Sequence, residues 1–256
     1  SLKTAKNYCQ YNESDNLCML KGVMDIDQTV IFNKKTIISP GTKINFREGG
    51  NLIFNSSIFI NGTTKDPVSF DGNGFGGIYI KNGNEQISII QNSNFNNLAT
   101  VDSLLKRYTG SINGYGGTFK LANVTISNGN AEDQLNIINA KVDISDLKIS
   151  NATSDAFDCD FCEGTIKDIN FFDVGGDGLD ISGSDLKIIK MYARNIKDKA
   201  FSVGEKSLAY IDDAFYDSVA TGIAVKDSSM VKASNISLKN IEYDAFMTYV
   251  KKPFYD

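Results

Sequence analysis

The chain of 256 residues has no histidine and no tryptophan, only 3 prolines, and no apolar run that approaches a membrane span. The missing histidine removes Ser–His–Asp and Cys–His nucleophile chemistry, the H-E-x-x-H zinc site, and imidazole as a general base. Any chemistry here must use carboxylates, Lys, Arg, Tyr or a bound ion. The missing tryptophan weakens the case for a sugar-stacking platform, although Tyr79, Tyr108, Tyr115 and Tyr192 remain available. Net charge is −5 and no stretch joins dense Lys/Arg to aromatics, so no nucleic-acid partner is expected. No membrane span is expected either, and the visible start, SLKTAKNYCQ, does not read as a signal peptide.

What is present is a beat. Leu135, Phe157, Leu179, Phe201, Ile223 and Phe246 follow one another at intervals of 22, 22, 22, 22 and 23 residues. A fixed period of this length, with Asp and small residues beside short apolar alternations, marks a solenoid of stacked coils. The alternations begin at Thr29 (TVIF, TIIS, TKINF, NLIF, SIFI) and are cut by Gly, Pro or Asn turn signals. The expected fold is all-β: a single-stranded right-handed parallel β-helix with about 22 residues per coil. The leucine-rich-repeat motif, the main rival, does not recur. Residues 1–29 read as an N-terminal cap that shields the first coil's edge, and 30–256 as the β-helix. An insertion near 98–117 interrupts the rhythm and carries Lys106, Arg107, Tyr108 and Tyr115.

Four cysteines form two pairs in sequence, Cys9/Cys18 and Cys159/Cys162. The first flanks a polar, turn-rich loop and suits either a bridge across the cap or free thiols. A four-Cys zinc site is disfavoured, because the pairs lie far apart along the solenoid and Cys159 points inward.

With each anchor as position zero, columns of stacked residues follow. Two before it stand Asp133, Asp155, Asp177, Lys199, Thr221 and Asp244. One after stand Asn136, Asp158, Asp180, Ser202, Ala224 and Met247, and three after stand Ile138, Asp160, Ser182, Gly204, Lys226 and Tyr249. Glu205 and Asp227 follow at four. Because the anchor faces the core, the one-after and three-after columns are expected on the outer face. Carboxylates stacked about 4.8 Å apart repel by roughly 1 kcal/mol in water and several kcal/mol at an effective dielectric near 20. Asp155 over Asp177 and Asp158 over Asp180 therefore require an offset: a shared proton, a bound cation, or Lys199. Asp before Gly or Ala is also ordinary turn chemistry, and stacked Asp ladders can be structural.

The stretches from Thr36 to Ile80, GDGLDISGSDLKI at 176–188 and DKAFSVGEKS at 198–207 resemble the pectate-lyase-like superfamily, and more closely β-helical segments of bacterial surface and secreted proteins. The resemblance implies an extracellular or cell-surface protein that acts on a polysaccharide, by hydrolysis or by lyase/epimerase chemistry. Asp158 and Asp180 are the preferred acid–base pair, with Asp155 and Asp177 shaping the pocket. Asp133, Asp160, Lys199, Ser202, Glu205 and Lys226 are expected to bind ligand. An acidic polysaccharide is the expected substrate, and a lyase would hold Ca²⁺ among the carboxylates with Lys199 as base, or Arg194 in its place. The competing expectation is a non-catalytic adhesin or glycan-binding module. The closing KKPFYD shows no cap pattern, so further domains are expected after it.

Overall fold

The structure, a computed structural model, describes residues 4–12, 16–103 and 106–255. The sequence alternates apolar and polar residues in runs of four to six, so each run is stable only when its apolar side is buried. Stacking buries them all. The chain winds as a right-handed parallel β-helix of about ten turns, with about 22 residues per turn and no α-helix among the described residues.

Each turn contributes to three parallel sheets. One face, called A, stacks Thr29–Phe32, Asn51–Phe54, Ile78–Lys81, Gly110–Tyr115, Asp133–Ile138, Asp155–Asp160 and Leu179–Ser182, then segments 199–204, 221–226 and 244–249. These are rungs one to ten. The expected anchors meet in order: Leu135 pairs with Phe157, Phe157 with Leu179, Leu179 with Phe201, Phe201 with Ile223, and Ile223 with Phe246.

The corners explain the abundant asparagine. Asn97, Asn128, Asn151, Asp173, Asn195, Ser218 and Asn240 all take φ between 52° and 58° at one corner. Asn and Asp tolerate this left-handed conformation better than other side chains. Their amides also form a ladder, Asn151 donating to Asn128 and Asn195 to Asp173, each at 2.8 Å.

Parallel pairing already begins at Leu17–Leu20, which runs beside Lys35–Ile38, within the segment expected to be a cap. The hairpin partner Gln10–Asn12 pairs antiparallel with it, and Cys9 is bridged to Cys18. Cys159 is bridged to Cys162 as well, so all four thiols are consumed and a zinc site is not formed. The insertion lengthens the step from Ile78 to its partner Ile112 to 34 residues. Its base is tied down where the Tyr108 amide donates to the Val101 carbonyl at 3.1 Å and Asn51 Nδ2 donates to the Asp102 carbonyl at 2.8 Å. The side chains of Lys106 and Arg107 lie outside the described residues.

The interior is a stack of like side chains, with Phe32 on Phe54 at 5.0 Å and Phe70 on Phe95 at 4.6 Å between centroids. Phe171 is fully buried on a sheet away from face A. Phe171→Ala is expected to cost about 3–5 kcal/mol of stability. Denaturant melts that agree with the parent protein to within about 1 kcal/mol would mean this core is not tightly packed.

Candidate active site

Period two sends the one-after and three-after columns of face A outward from rungs that lie in register, whereas the two-before column shares the anchor's parity and stands at the start of each strand. Asp133 pairs with Asp155, Asn136 with Asp158, and Asp158 with Asp180. Strand 155–160 is pinned from below, since the Cys159–Cys162 bridge ties it to the next sheet between Asp158 and the corner. At that corner Asn139, Phe161, Glu205 and Asp227 take φ of 54–59°, which turns the chain and places Glu205 and Asp227 at the rim of face A.

A cleft of about 470 Å³ opens there, lined by carboxyls of Glu132, Asp133, Asp155, Asp158, Asp160, Asp180, Glu205 and Asp227, and by Lys226, Lys251 and Lys252. Among the expected site residues, Asp133, Asp155, Asp158, Asp160, Asp180, Glu205 and Lys226 meet in it, with Ser182 and Gly204.

Asp177, Lys199 and Ser202 stand apart from the cleft wall. Asp177 is buried and its Oδ1 accepts the Lys199 amide at 2.9 Å, with Lys199 Nζ at 3.3 Å. Lys199 Nζ also reaches Asp198 at 2.6 Å. Asp155 Oδ1 in turn accepts the Asp177 amide at 2.7 Å. Asp155 and Asp177 thus follow the turn-and-ladder role, each capping the rung after it. Ser202 was expected on the outer face but is fully buried with no hydrogen-bond partner for its Oγ. Lys226, on the next rung, crosses beside it. Lys226 reaches back across rung eight to Asp180, 3.6 Å from its Oδ1, and its stem passes Gly204, where a Cβ would lie 3.2 Å from Lys226 Cε. Lys226 is accordingly only 5 % exposed, not solvated surface.

The required offset to carboxylate repulsion is therefore built from protons and amines. Burial first, then the Asp160 and Asp133 charges, pushes the Asp158 carboxyl up to about 9. Asp155 rises to about 6, chiefly by burial and against the Asp177 amide, and Asp160 to about 6, by burial and then Glu205. Burial raises Asp177 too, opposed by Lys199. Oxygens of Asp155, Asp177 and Asp180 lie within 4.8 Å of one another. Calcium takes 6–8 oxygens, and two of these three carboxylates already hold amines, so the donor set fits the ion poorly unless both lysines move.

Sequence reasoning missed the cleft's far wall. Residues 251–255 fold back as a strap: Asp227 Oδ1 accepts the Lys251 and Lys252 amides at 2.6 and 2.7 Å, Lys252 Nζ pairs with Glu205, and Tyr255 donates to Glu205 Oε2 at 3.2 Å. Asp256 lies outside the described residues. Glu132 was missed as well, because it stands three before its anchor, where the next two coils carry Ser154 and Gly176 and no acidic column forms.

No family model and no curated protein matches this sequence. Among solved structures, it is similar to the catalytic domain of a GH87 alpha-1,3-glucanase in complex with tetrasaccharides, at 10% identity over 97% of this chain and 65% of that chain, TM-score 0.46. A second structure of such a domain, in complex with nigerose, matches at 10% identity over 94% and 64%, TM-score 0.46. The Streptococcus pneumoniae surface protein and adhesin PfbA matches at 11% identity over 98% and 100%, TM-score 0.25. This chain therefore spans about 65% of the length of the first glucanase domain. Likeness at this level says nothing about chemistry, which has to come from the side chains.

Two outcomes follow from the cleft. Carboxyls whose folded pKa lies above the unfolded value of about 4 bind protons more tightly when folded, so their contribution is complete below pH 4 and is lost as pH rises. Stability is expected to fall between about pH 4 and 9, and Asp158→Asn to flatten the upper part of that slope. Identical pH profiles for the two proteins, measured by denaturant melts, would show that Asp158 is not held protonated. For the strap, Asp227→Ala is expected to speed amide exchange at Lys251 and Lys252; unchanged protection would mean the strap is held by other contacts.

Proposed function

We propose that the chain is a glycan hydrolase in which Asp158 donates the proton to the leaving oxygen and Asp180 serves as the paired carboxylate. The observation that carries this reading is the contrast between two register neighbours about 4.8 Å apart at the backbone. Burial pushes the Asp158 carboxyl up to about 9, while the Asp180 carboxyl faces the Lys226 amine at 3.6 Å. Hydrolysis of a glycosidic bond needs such a divided pair, one carboxyl to protonate and one to activate water or attack the sugar. Asp155, with its pKa near 6, sits close enough to Asp180 to relay a proton or hold the water. The two lysines do different work. Lys226 neutralises Asp180 from within the cleft, and Lys199 anchors Asp177 beneath it.

The substrate we propose is a neutral polysaccharide rather than an acidic one. Eight carboxyl side chains against three lysines line the cleft, a balance that repels a polyanion. Lyase or epimerase action fits less well, because its base would be Lys199. Burial works against the Lys199 charge, but the hydrogen bond it donates to Asp198 and the nearby Asp177 carboxylate outweigh it and raise its pKa, leaving an amine that gives up its proton reluctantly. The two disulfides suit an oxidising compartment, so we place the protein outside the cell or on its surface. No helix of the described residues is long and apolar enough to cross a membrane.

Reducing-end release from a panel of neutral polysaccharides tests the proposal. Asp158→Asn and Asp180→Asn are each expected to lower turnover by about 10²-fold or more while the fold, read by circular dichroism, persists. Saccharide binding by the parent protein with no reducing ends released would instead make this cleft the site of a binding module. Formation of an unsaturated product absorbing in the ultraviolet would replace hydrolysis by elimination.

A further inference from the structure

Two rungs to the N-terminal side of Asp133, face A carries a feature the acid cleft does not use. Tyr108, from the insertion, stacks on Tyr79 of rung three at 4.2 Å between ring centroids, with the planes 24° apart. Both rings are half-buried. The backbone at Tyr108 is anchored. The Tyr108 amide is bonded to the Val101 carbonyl, and Val101 is fully buried where a Cβ on Gly77 would come within 2.7 Å of its Cγ2. An insertion that merely bridged two rungs would have no need of a stacked and anchored pair of aromatic rings. Beside Tyr108 lies a second hollow of about 240 Å³, lined by Thr100, Tyr108, Thr109 and Glu132. Glu132 also lines the acid cleft, so the two hollows lie side by side with this residue between them.

We propose that Tyr108, seated on Tyr79 and flanked by Thr100, Thr109 and Glu132, is a distal saccharide subsite for the chain whose bond is cut beside Asp158. The inference rests on the glycan-hydrolase reading of the acid cleft and assigns a specificity-determining residue to it. The chemistry suits a neutral pyranose: an aromatic face for the apolar C–H side of the ring, and hydroxyls and a carboxylate for its O–H groups. Pre-set rings lose little freedom on binding, so the contact is realised with small entropic cost. Tyr79 is three rungs from Asp158, or about 14 Å, the reach of a short oligosaccharide but not of a single sugar. The subsite therefore discriminates by chain length. Binding energy collected there is available to orient a long substrate at the scissile bond, and a disaccharide in the acid cleft cannot draw on it.

Binding is measured by calorimetry on the whole chain with neutral gluco-, manno- and xylo-oligosaccharides of two and six residues, and turnover is followed in parallel. Tyr108→Ala is expected to weaken binding of the hexasaccharide by about tenfold, the size of one lost aromatic contact, and to leave the disaccharide unaffected. Tyr108→Phe, which keeps the ring, is expected to retain most of the hexasaccharide affinity and guards against loss of the loop's structure. Equal weakening of both lengths, equal hexasaccharide affinity in Tyr108→Ala and parent, or no binding of any hexasaccharide by the parent overturns the subsite. Asp158→Asn separates the two ideas: it is expected to abolish turnover with hexasaccharide binding intact. A length-dependent Tyr108 effect in a protein that turns nothing over keeps the subsite and removes the hydrolase.

Discussion

Parallel register is the constraint on which the rest of this molecule depends. Because each rung of face A lies directly on the one before it, a side chain meets its counterpart one turn on at the spacing of paired strands, about 4.8 Å. Inside, that repetition is favourable, since phenylalanine on phenylalanine or leucine fills the core without gaps. Outside, the same repetition forces like charges together, which is unfavourable for neighbouring strands. Carboxyls at Asp133, Asp155, Asp158, Asp160, Asp177 and Asp180 are tolerable only with protons or counter-charges, and the structure supplies both.

How it does so divides the acidic residues by role. Asp155 and Asp177 turn their oxygens to the backbone amide of the following rung and act as mortar between coils. Asp158 has no such amide and keeps a proton instead. Asp180 is matched by an amine that crosses the intervening rung at Gly204, where a Cβ would lie 3.2 Å from the Lys226 stem. Two chemically identical residues in neighbouring rungs thereby meet different surroundings, one buried among carboxyls and one facing an amine. Strand 155–160 is fastened by its ladder on both sides and by a disulfide at its end.

Much of this was legible residue by residue. The 22-residue spacing from Leu135 to Phe246 identified which residues pair, and the structure places each anchor on its expected partner. The same spacing brought most of the acidic columns to one face. It failed at Ser202 and Lys226, expected among solvent-facing groups and found buried, because a column argument sees residues one rung apart and Lys226 acts over two. It failed again at residues 251–255, whose fold-back depends on Asp227 and Glu205 rather than on any periodic signal. The pairing of Tyr108 with Tyr79 was equally hidden, since the 34-residue step across the insertion breaks the count.

By itself, then, the sequence determined the solenoid, its period and the existence of an acidic stripe, because these follow from local alternation and from a repeat that any parallel stacking must translate into neighbours. Tertiary structure alone decided which carboxyl keeps a proton, which holds an amine and which caps a rung. Those outcomes depend on burial and on the reach of long side chains across intervening glycine, quantities that arise only when coils lie against one another and water has been displaced from between them.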